Sequence, residues 1–390
     1  MNDKIKVLQI AIGDGSFSGV TNFLCSYYSH FDRESVVFDF LYCRKSSLRL
    51  LQDKELLSQS EIYELHILKE NSNIRDYFKL YNKLRQILKR RQYDIVHINT
   101  GNIYVQACCI CASRDIKIRI AHSHSSQSYT HKNNGFKEML KKILAFPSKI
   151  FIVTQASHLF ACSYVAGNYL FGKFGTDLSK FRIIHNAIDT IRYRFDILRR
   201  KEVREKEKIL PDTLVFGHVG RMVKVKNHEF LIEVFSEIHR LQPDSTLWII
   251  GDGELKERIE EKISFLGLEQ CVKLFGERND VNDLMQAMDG FIFPSLFEGL
   301  SLVVMEAQNS GLPVYASDTI SKEHKVTGLV DFLSLKSGKT YWAEYILEDI
   351  LKNQRRDYSS VIAAAGYDLG KEAEKLENFY RNVVKDYEYT

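Results

Sequence analysis

The chain has 390 residues and a mass of 45.3 kDa, with 45% hydrophobic residues, 27% charged residues and a formal net charge of +4. This balance fits a soluble globular protein of more than one domain. It excludes a disordered chain, a fibrous protein and a disulfide-dense mini-protein. No apolar run reaches the ~18–20 residues that a membrane-crossing helix needs; the longest, from Ile143 to Val153, is broken by Pro147 and Lys149. The start, Met1 to Lys6, places a charge inside each short apolar stretch and runs into Gly13, unlike a secretory leader, so a cytosolic protein is expected.

In chain order, short aliphatic runs alternate with amphipathic helical patterns. Candidate strands in the first half are 6–12, 36–42, 62–68, 95–98, 118–122, 159–161 and 183–184. The repeated strand–helix order predicts a parallel sheet covered on both faces. Within it, Cys108, Cys109 and Cys111 read as small apolar residues of a buried helix, because no further ligands accompany the C-x-x-C. The charged stretch from Thr190 to Pro211 breaks the rhythm and reads as a hinge. A second series follows at 214–219, 247–250, 272–275, 290–293 and 313–316, and a last helical pattern spans Lys371 to Tyr387. The expected fold is α/β: two doubly wound, Rossmann-like domains, 1–190 and 191–370, with the terminal helix (about 371–390) able to cross back to the first. Ligands of such sheets bind at the carboxyl ends of the strands, so two of them facing each other would place a site in the cleft between.

Charge is uneven. Residues 1–190 carry a net +10 and residues 191–390 a net −6. The excess lies in two helical stretches. Arg75 to Arg91 has seven basic residues against Asp76, and Lys132 to Lys149 has five against Glu138. Each also has an apolar stripe at steps of three and four, such as Tyr77, Leu80, Tyr81, Leu84, Ile87 and Leu88. A core-facing helix with a solvated back fits this pattern, and so does a helix lying on anionic lipid. No nucleic-acid motif accompanies the charge.

Four stretches could carry chemistry. In Phe293-Pro294-Ser295-Leu296-Phe297-Glu298-Gly299-Leu300-Ser301 a strand runs through a loop into a helix that continues to Glu306. Free N–H groups at such a helix start suit a phosphate. Glu306, set among Val303, Val304, Met305 and Ala307, should face inward, where a carboxylate needs a partner. It could accept two hydroxyl hydrogen bonds, as vicinal sugar hydroxyls offer. In Gly220-Arg221-Met222-Val223-Lys224-Val225-Lys226-Asn227, Arg221 and Lys226 could clamp a diphosphate or could be solvated loop cations, with Asn227 a plausible helix cap. Gly13-Asp14-Gly15-Ser16-Phe17-Ser18-Gly19 has the wrong spacing for a dinucleotide fingerprint, yet would let a ligand approach the backbone. Ala121-His122-Ser123-His124 ends a strand; two histidines without a third ligand read better as neutral partners for a substrate hydroxyl than as a metal site. No D-x-D is present to seat a metal on a nucleotide diphosphate.

Together these stretches resemble the family 4 (group 1) retaining glycosyltransferases of GT-B fold, particularly the bacterial capsule and exopolysaccharide members. The resemblance runs from Gly19-Val20 through Arg119-Ile120-Ala121-His122-Ser123-His124, Ile184-His185-Asn186-Ala187-Ile188-Asp189 and Gly220-Arg221…Lys226-Asn227-His228. It continues through Gly251-Asp252-Gly253 to Glu298-Gly299-Leu300…Glu306-Ala307-Gln308. It implies that Arg221 and Lys226 stabilise the departing diphosphate and that Glu306 binds the ribose hydroxyls. Glu298, with the backbone of Gly299, Leu300 and Ser301, would hold donor sugar and phosphate. Gly19 would pass close to the diphosphate, and the loop Gly276-Glu277-Arg278 would meet the base mostly through backbone. His124 matches the position that touches the donor sugar, with His122 as the alternative. Many relatives carry proline where this chain has Ser301. The implied reaction is metal-independent transfer with retention, without a cofactor, from a nucleotide sugar (UDP by family habit). The implied acceptor is a glycan, commonly lipid-diphosphate-linked, at the cytoplasmic face of the cell membrane, bound by the first domain. That setting favours peripheral membrane association through the basic helices 75–91 and 132–149. A nucleotide-sugar epimerase or hydrolase of the same fold, or a non-catalytic nucleotide-sugar-binding assembly protein, are the rival readings.

Overall fold

The computed structural model describes residues 4–12, 19–43, 57–65, 74–124 and 135–388. The glycine-rich loop 13–18 and the beginning of the basic stretch 132–149 lie outside these. The chain divides into two compact units: residues 1–186 with 369–390, and residues 187–368.

Unit 1 is built on a seven-stranded parallel sheet in the order β3-β2-β1-β4-β5-β6-β7. Its strands are β1 (Ile5–Ala11), β2 (Val36–Cys43), β3 (Ile62–Leu65), β4 (Ile95–Asn99), β5 (Ile118–Ser123), β6 (His158–Ala161) and β7 (Phe181–Ile183). Its helices are α1 (Gly19–Tyr28), α2 (Ile74–Arg90), α3 (Ile103–Ala112), α4 (Gly135–Gln155), α5 (Tyr164–Phe171), α6 (Lys173–Thr176) and, last in the chain, α14 (Leu369–Glu388). Period-2 alternation in β1 sends Leu8 and Ile10 into a core shared with Leu80, Leu84 and Ile87 of α2 and Cys109 of α3. Leu80, Leu84 and Ile87 of α2 are thus taken up by the core, while Ile74 and Phe78 near its start are exposed together with its basic residues. Cys109 is buried as the sequence suggests, but Cys111 is exposed, so the C-x-x-C straddles the helix rather than filling its buried face. Local chemistry starts these helices. Asn102 caps α3 by accepting from Tyr104 and Val105 N–H (3.0 and 3.2 Å), and Ser163 caps α5 by accepting from Ala166 N–H at 3.2 Å. On the other face, α14 brings Tyr380 under β1 and β4, where its hydroxyl meets Gln9 and His97.

Unit 2 holds a six-stranded parallel sheet in the order β10-β9-β8-β11-β12-β13. Its strands are β8 (Leu214–Val219), β9 (Ser245–Ile250), β10 (Val272–Gly276), β11 (Gly290–Phe293), β12 (Val314–Ser317) and β13 (Val330–Leu333). The sequence reading missed β13, the edge strand of this sheet. The helices are α7 (Ile197–Lys206), α8 (His228–Leu241), α9 (Lys256–Phe265), α10 (Val281–Ala287), α11 (Leu302–Asn309), α12 (Gly338–Ile350) and α13 (Ser359–Ala364). One face packs Leu231, Phe235, Ile259 and Trp342; the other packs Val203, Leu284, Val304 and Ala307.

The charged stretch read as a hinge is α7, docked on its own unit. Asp196 caps it, Arg199 pairs with Asp283 at 2.7 Å, and Arg200 and Arg204 both reach Asp289. The run read as a hinge because Asp283 and Asp289, the acids that dock it, lie more than eighty residues away.

Candidate functional site

β8 and β11 are parallel neighbours, so the loops that leave Val219 and Phe293 emerge at the same edge of the sheet. Loop 220–227 is shaped by the one after β9. Gly251 sits at φ +133° and a Cβ on it would lie 2.2 Å from the Gly220 carbonyl oxygen; one on Gly253 would lie 2.6 Å from that of Met222. The second Gly-Asp-Gly is thus a packing device: it lets two loops touch backbone to backbone, with Met222 N–H donating to the Asp252 carbonyl at 2.9 Å. Met222 is buried beneath, while Arg221 is exposed and pairs with no acid among the described residues.

Lys226 closes the turn Lys224–Lys226 and places Nζ 2.7 Å from Glu298 Oε1 and 4.8 Å from the Phe293 ring centroid. Both charged side chains are mostly buried. Asn227 does not cap α8 as expected. It adopts φ +58°, makes no side-chain cap bond, and instead donates its amide to the Pro294 carbonyl at 3.1 Å. Leu296 N–H donates to the Val225 carbonyl at 2.8 Å. These two bonds stitch the cation-bearing loop to the loop that carries Glu298.

Ser301 is the N-cap of α11, and Glu306 lies in the helix beyond it. The Glu306 carboxyl is half-buried and hydrogen-bonded to the Tyr193 hydroxyl, with Arg192 nearby; burial outweighs both and raises its pKa to about 7. Arg192 is itself fixed by donating to Asn282 Oδ1 (3.1 Å) and the Asn279 carbonyl (2.7 Å). Tyr193 and Arg192 were hidden in the stretch read as a hinge. The Ser301 N–H, expected to be free for a phosphate, is not: it donates to His324 Nε2 at 2.7 Å. His324 also escaped the sequence reading, since it follows β12 in a stretch without period.

Arg278, placed near the base by resemblance, has its guanidinium spread over Asp280 (2.7 and 2.5 Å). The side chain is thus paired within its own loop. The Ser317 and Thr319 hydroxyls both donate to the Ser295 carbonyl, which binds that loop to the β11 loop.

In unit 1, Gly19 is the first residue of α1. His122, Asn99 and His97 sit at the carboxyl ends of β5 and β4 and are fully buried; His124 follows β5 and is partly exposed. Gln9 donates to the Tyr380 oxygen (3.2 Å), Tyr380 lies 2.6 Å from His97 Nδ1, and His97 Nε2 lies 3.0 Å from His122 Nδ1. Asn99 donates to Gln9 Oε1 at 2.8 Å and accepts from His124 Nε2 at 2.9 Å. Burial holds all three imidazoles neutral, His124 down to about 3. His122 is spent inside this network; His124 stands at its solvent end.

A parallel sheet repeated in two units, with cations and carboxylates gathered at the strand ends of the second, defines a GT-B architecture. The same architecture is seen in the crystal structure of Anabaena HepE in complex with UDP, with a TM-score of 0.71 over 97% of this chain and 100% of that one, at 18% identity. The description Glycosyltransferase Family 4 matches residues 20–192, and Glycosyl transferases group 1 matches residues 213–348. The chain belongs to the family 4, group 1 glycosyltransferases. It is 28% identical to EpsF of Bacillus subtilis, named as a glycosyltransferase, over 97% of each chain. It is 24% identical to the UDP-Gal:alpha-D-GlcNAc-diphosphoundecaprenol alpha-1,3-galactosyltransferase of Escherichia coli, over 77% of this chain and 78% of that one. Among the described residues, no helix is long and apolar enough to cross a membrane.

Proposed function

We propose that this glycosyltransferase is retaining and metal-independent, and moves a sugar from a UDP-sugar to a lipid-linked glycan in capsule or exopolysaccharide synthesis. The observation that carries the reading is the Lys226–Glu298 pair at the head of α11, with Glu306 inside the same helix. In this reading Arg221 and Lys226 meet the negative charge that develops on the leaving diphosphate, in a fixed and partly dry setting. Glu298 and the backbone of Gly299 and Leu300 hold the donor sugar and phosphate, and Glu306 accepts the ribose hydroxyls once ionised. Gly19 and His124 keep the roles the resemblance gives them. The acceptor oxygen bonds to the anomeric carbon on the face the diphosphate leaves; the bond from that carbon to the phosphate oxygen breaks, and a donor phosphate oxygen takes the acceptor's proton. UDP and a lipid-linked acceptor are supported by what the HepE structure contains and by the name of the Escherichia coli relative.

The test is UDP release from a panel of UDP-sugars in EDTA, with and without an undecaprenyl-diphosphate sugar, and the product anomer read by NMR. Acceptor-dependent release with the donor's anomeric configuration supports the reading. Release that ignores the acceptor, an inverted product, or loss of turnover in EDTA sinks it.

Peripheral membrane association is part of the proposal. On α4, Phe146, Ile150 and Phe151 are exposed, near the exposed Phe174 of unit 1. On α2, Arg85 is engaged by Asp115, and Arg91, just beyond it, by Asp39 and Glu61. Ile74 and Phe78 of α2 are exposed as well, and Lys149 of α4 donates to the Tyr169 carbonyl, so the lipid-facing role is open to both helices. Equal sedimentation with neutral and anionic vesicles at low salt would remove it.

A further inference from the structure

His324 ends the short turn Lys322–His324 and is completely buried. Each ring nitrogen has a partner of fixed sense. A backbone N–H can only donate, so Nε2 accepts from Ser301 at 2.7 Å; a carbonyl can only accept, so Nδ1 donates to Ser321 at 2.7 Å. The ring is therefore neutral with its proton on Nδ1, and no choice of tautomer is involved. The segment that carries it is clasped to α11 a second time. Gln308 donates to the His324 carbonyl at 2.9 Å and accepts from the Thr327 N–H and hydroxyl at 3.0 and 2.9 Å. Residues 321–327 thus brace α11 at its first turn and again near its end. Burial keeps the imidazole from protonating. The Ser321 carbonyl and the Glu298 carboxylate pull the other way, and Lys226 reinforces burial.

We propose that His324 is a positioning residue of the donor site: its neutral ring holds the Ser301 N–H and so fixes where Glu298, Gly299 and Leu300 meet the diphosphate-sugar. This rests on the reading of unit 2 as the donor-binding half. Ser301 needs such a partner because its N–H is not one that the helix satisfies internally. A proline there would have no N–H to satisfy. Protonating Nε2 would turn the acceptor into a donor aimed at another donor, and the brace would open.

The experiment is a double-mutant cycle on the full-length enzyme, with donor KM and kcat measured across pH. His324→Leu leaves the Ser301 N–H without an acceptor and should raise the donor KM about 10-fold, with kcat changed much less. His324→Gln, which keeps an acceptor oxygen, should recover part of that loss. In a Ser301→Pro background, near the chain's own φ of −89° at this position, His324→Leu should cost less than about 2-fold, because the demand for an acceptor is gone. Below the limb that Glu306 sets near pH 7, the wild-type donor KM should rise further in acid, and that further rise should be missing in the double variant. An equal cost in both backgrounds, or a fall in kcat at constant KM, overturns the proposal. If Ser301→Pro does not fold, the contrast between His324→Gln and His324→Leu decides: equal loss in both overturns it. Wild-type protein that turns over no nucleotide sugar overturns the donor-site reading instead. In that case the nitrogen-15 shifts of His324 still judge the local assignment, which any form other than a protonated Nδ1 and bare Nε2 would refute.

Discussion

The two sheets have the same strand order, three strands wound one way and the rest the other, with β7 added at one edge of the first. Their carboxyl ends are furnished differently. Unit 1 gathers neutral groups there, Gln9, His97, Asn99, His122 and His124, hydrogen-bonded to one another and almost dry. Unit 2 gathers ions: an exposed Arg221, the Lys226–Glu298 pair, and Glu306 beside Tyr193 and Arg192. A buried charge is costly unless paired, so the neutral end can be deeply packed while the charged end keeps some solvent. One scaffold thus provides a surface suited to neutral hydroxyls and another suited to a diphosphate. The fold alone would not tell them apart.

The largest effect should come from the ionic end. Lys226→Ala and Arg221→Ala should each lower turnover roughly 10²–10³-fold, the scale for losing one stabilising donor to a developing negative charge. Lys226→Ala also strands Glu298, so it should be the more damaging to donor affinity. His124→Ala should cost turnover less than either. Steady-state kinetics on the three variants checks the order; if His124→Ala were the worst, catalysis would reside in the neutral half and the contrast between the units would be read the wrong way round.

A smaller effect separates the ions from one another. Glu306 can accept two ribose hydroxyl bonds only as a carboxylate, and burial raises its pKa to about 7. Donor binding should therefore tighten as pH rises through about 7. Stability runs the opposite way. A carboxyl that holds its proton more tightly folded than unfolded favours folding where it is protonated, and that advantage declines from its unfolded value upward, ending above about 7. Glu306→Gln should remove both slopes: a melting temperature at pH 8 no lower than wild type, with the shift induced by UDP lost. Thermal unfolding with and without UDP at pH 6 and pH 8 reads both, and a retained UDP shift in Glu306→Gln would remove Glu306 from the site.

Much of this was legible in the sequence because the decisive signals are local. Aliphatic runs at regular spacing gave the strands, and Gly220-Arg221 to Lys226, Glu298 and Glu306 stand out because strand, loop and helix start are adjacent in the chain. What was missed depends on distant partners. α7 looked like a hinge because Asp283 and Asp289, which neutralise it, are far away in sequence. His324 and Tyr193 gained meaning only when the fold set them against Ser301 and Glu306. The resemblance put His124 ahead of His122; residue patterning by itself did not separate them, since with a single residue between them they differ in how deeply β5 buries them.

The smallest effect is on stability and tests the neutral end. Tyr380→Phe removes one hydroxyl and leaves Gln9 Nε2 and His97 Nδ1 with no partner at that oxygen in a dry core. Buried polar groups stranded in this way cost about 1–3 kcal/mol. In a unit of this size that is a fall in melting temperature of roughly 2–4 °C per kcal/mol. Acid should deepen it. His97, His122 and His124 are all held below their usual pKa by burial, so they bind protons more readily unfolded; the stability they lend at neutral pH is lost as pH falls below about 6.5. Unit 2 has His218, His228 and His324 held down in the same sense, so acid sensitivity alone does not distinguish the units. Tyr380→Phe does, because it touches only the first. Its turnover at pH 7.5, below its melting temperature, should stay within about 3-fold of wild type, as the Lys226–Glu298 pair is untouched. A variant as stable as wild type would show that the Tyr380–His97–His122 chain contributes nothing to the fold. A stable variant with collapsed turnover would move that chain from packing into catalysis, and the neutral end would then be more than a scaffold for His124.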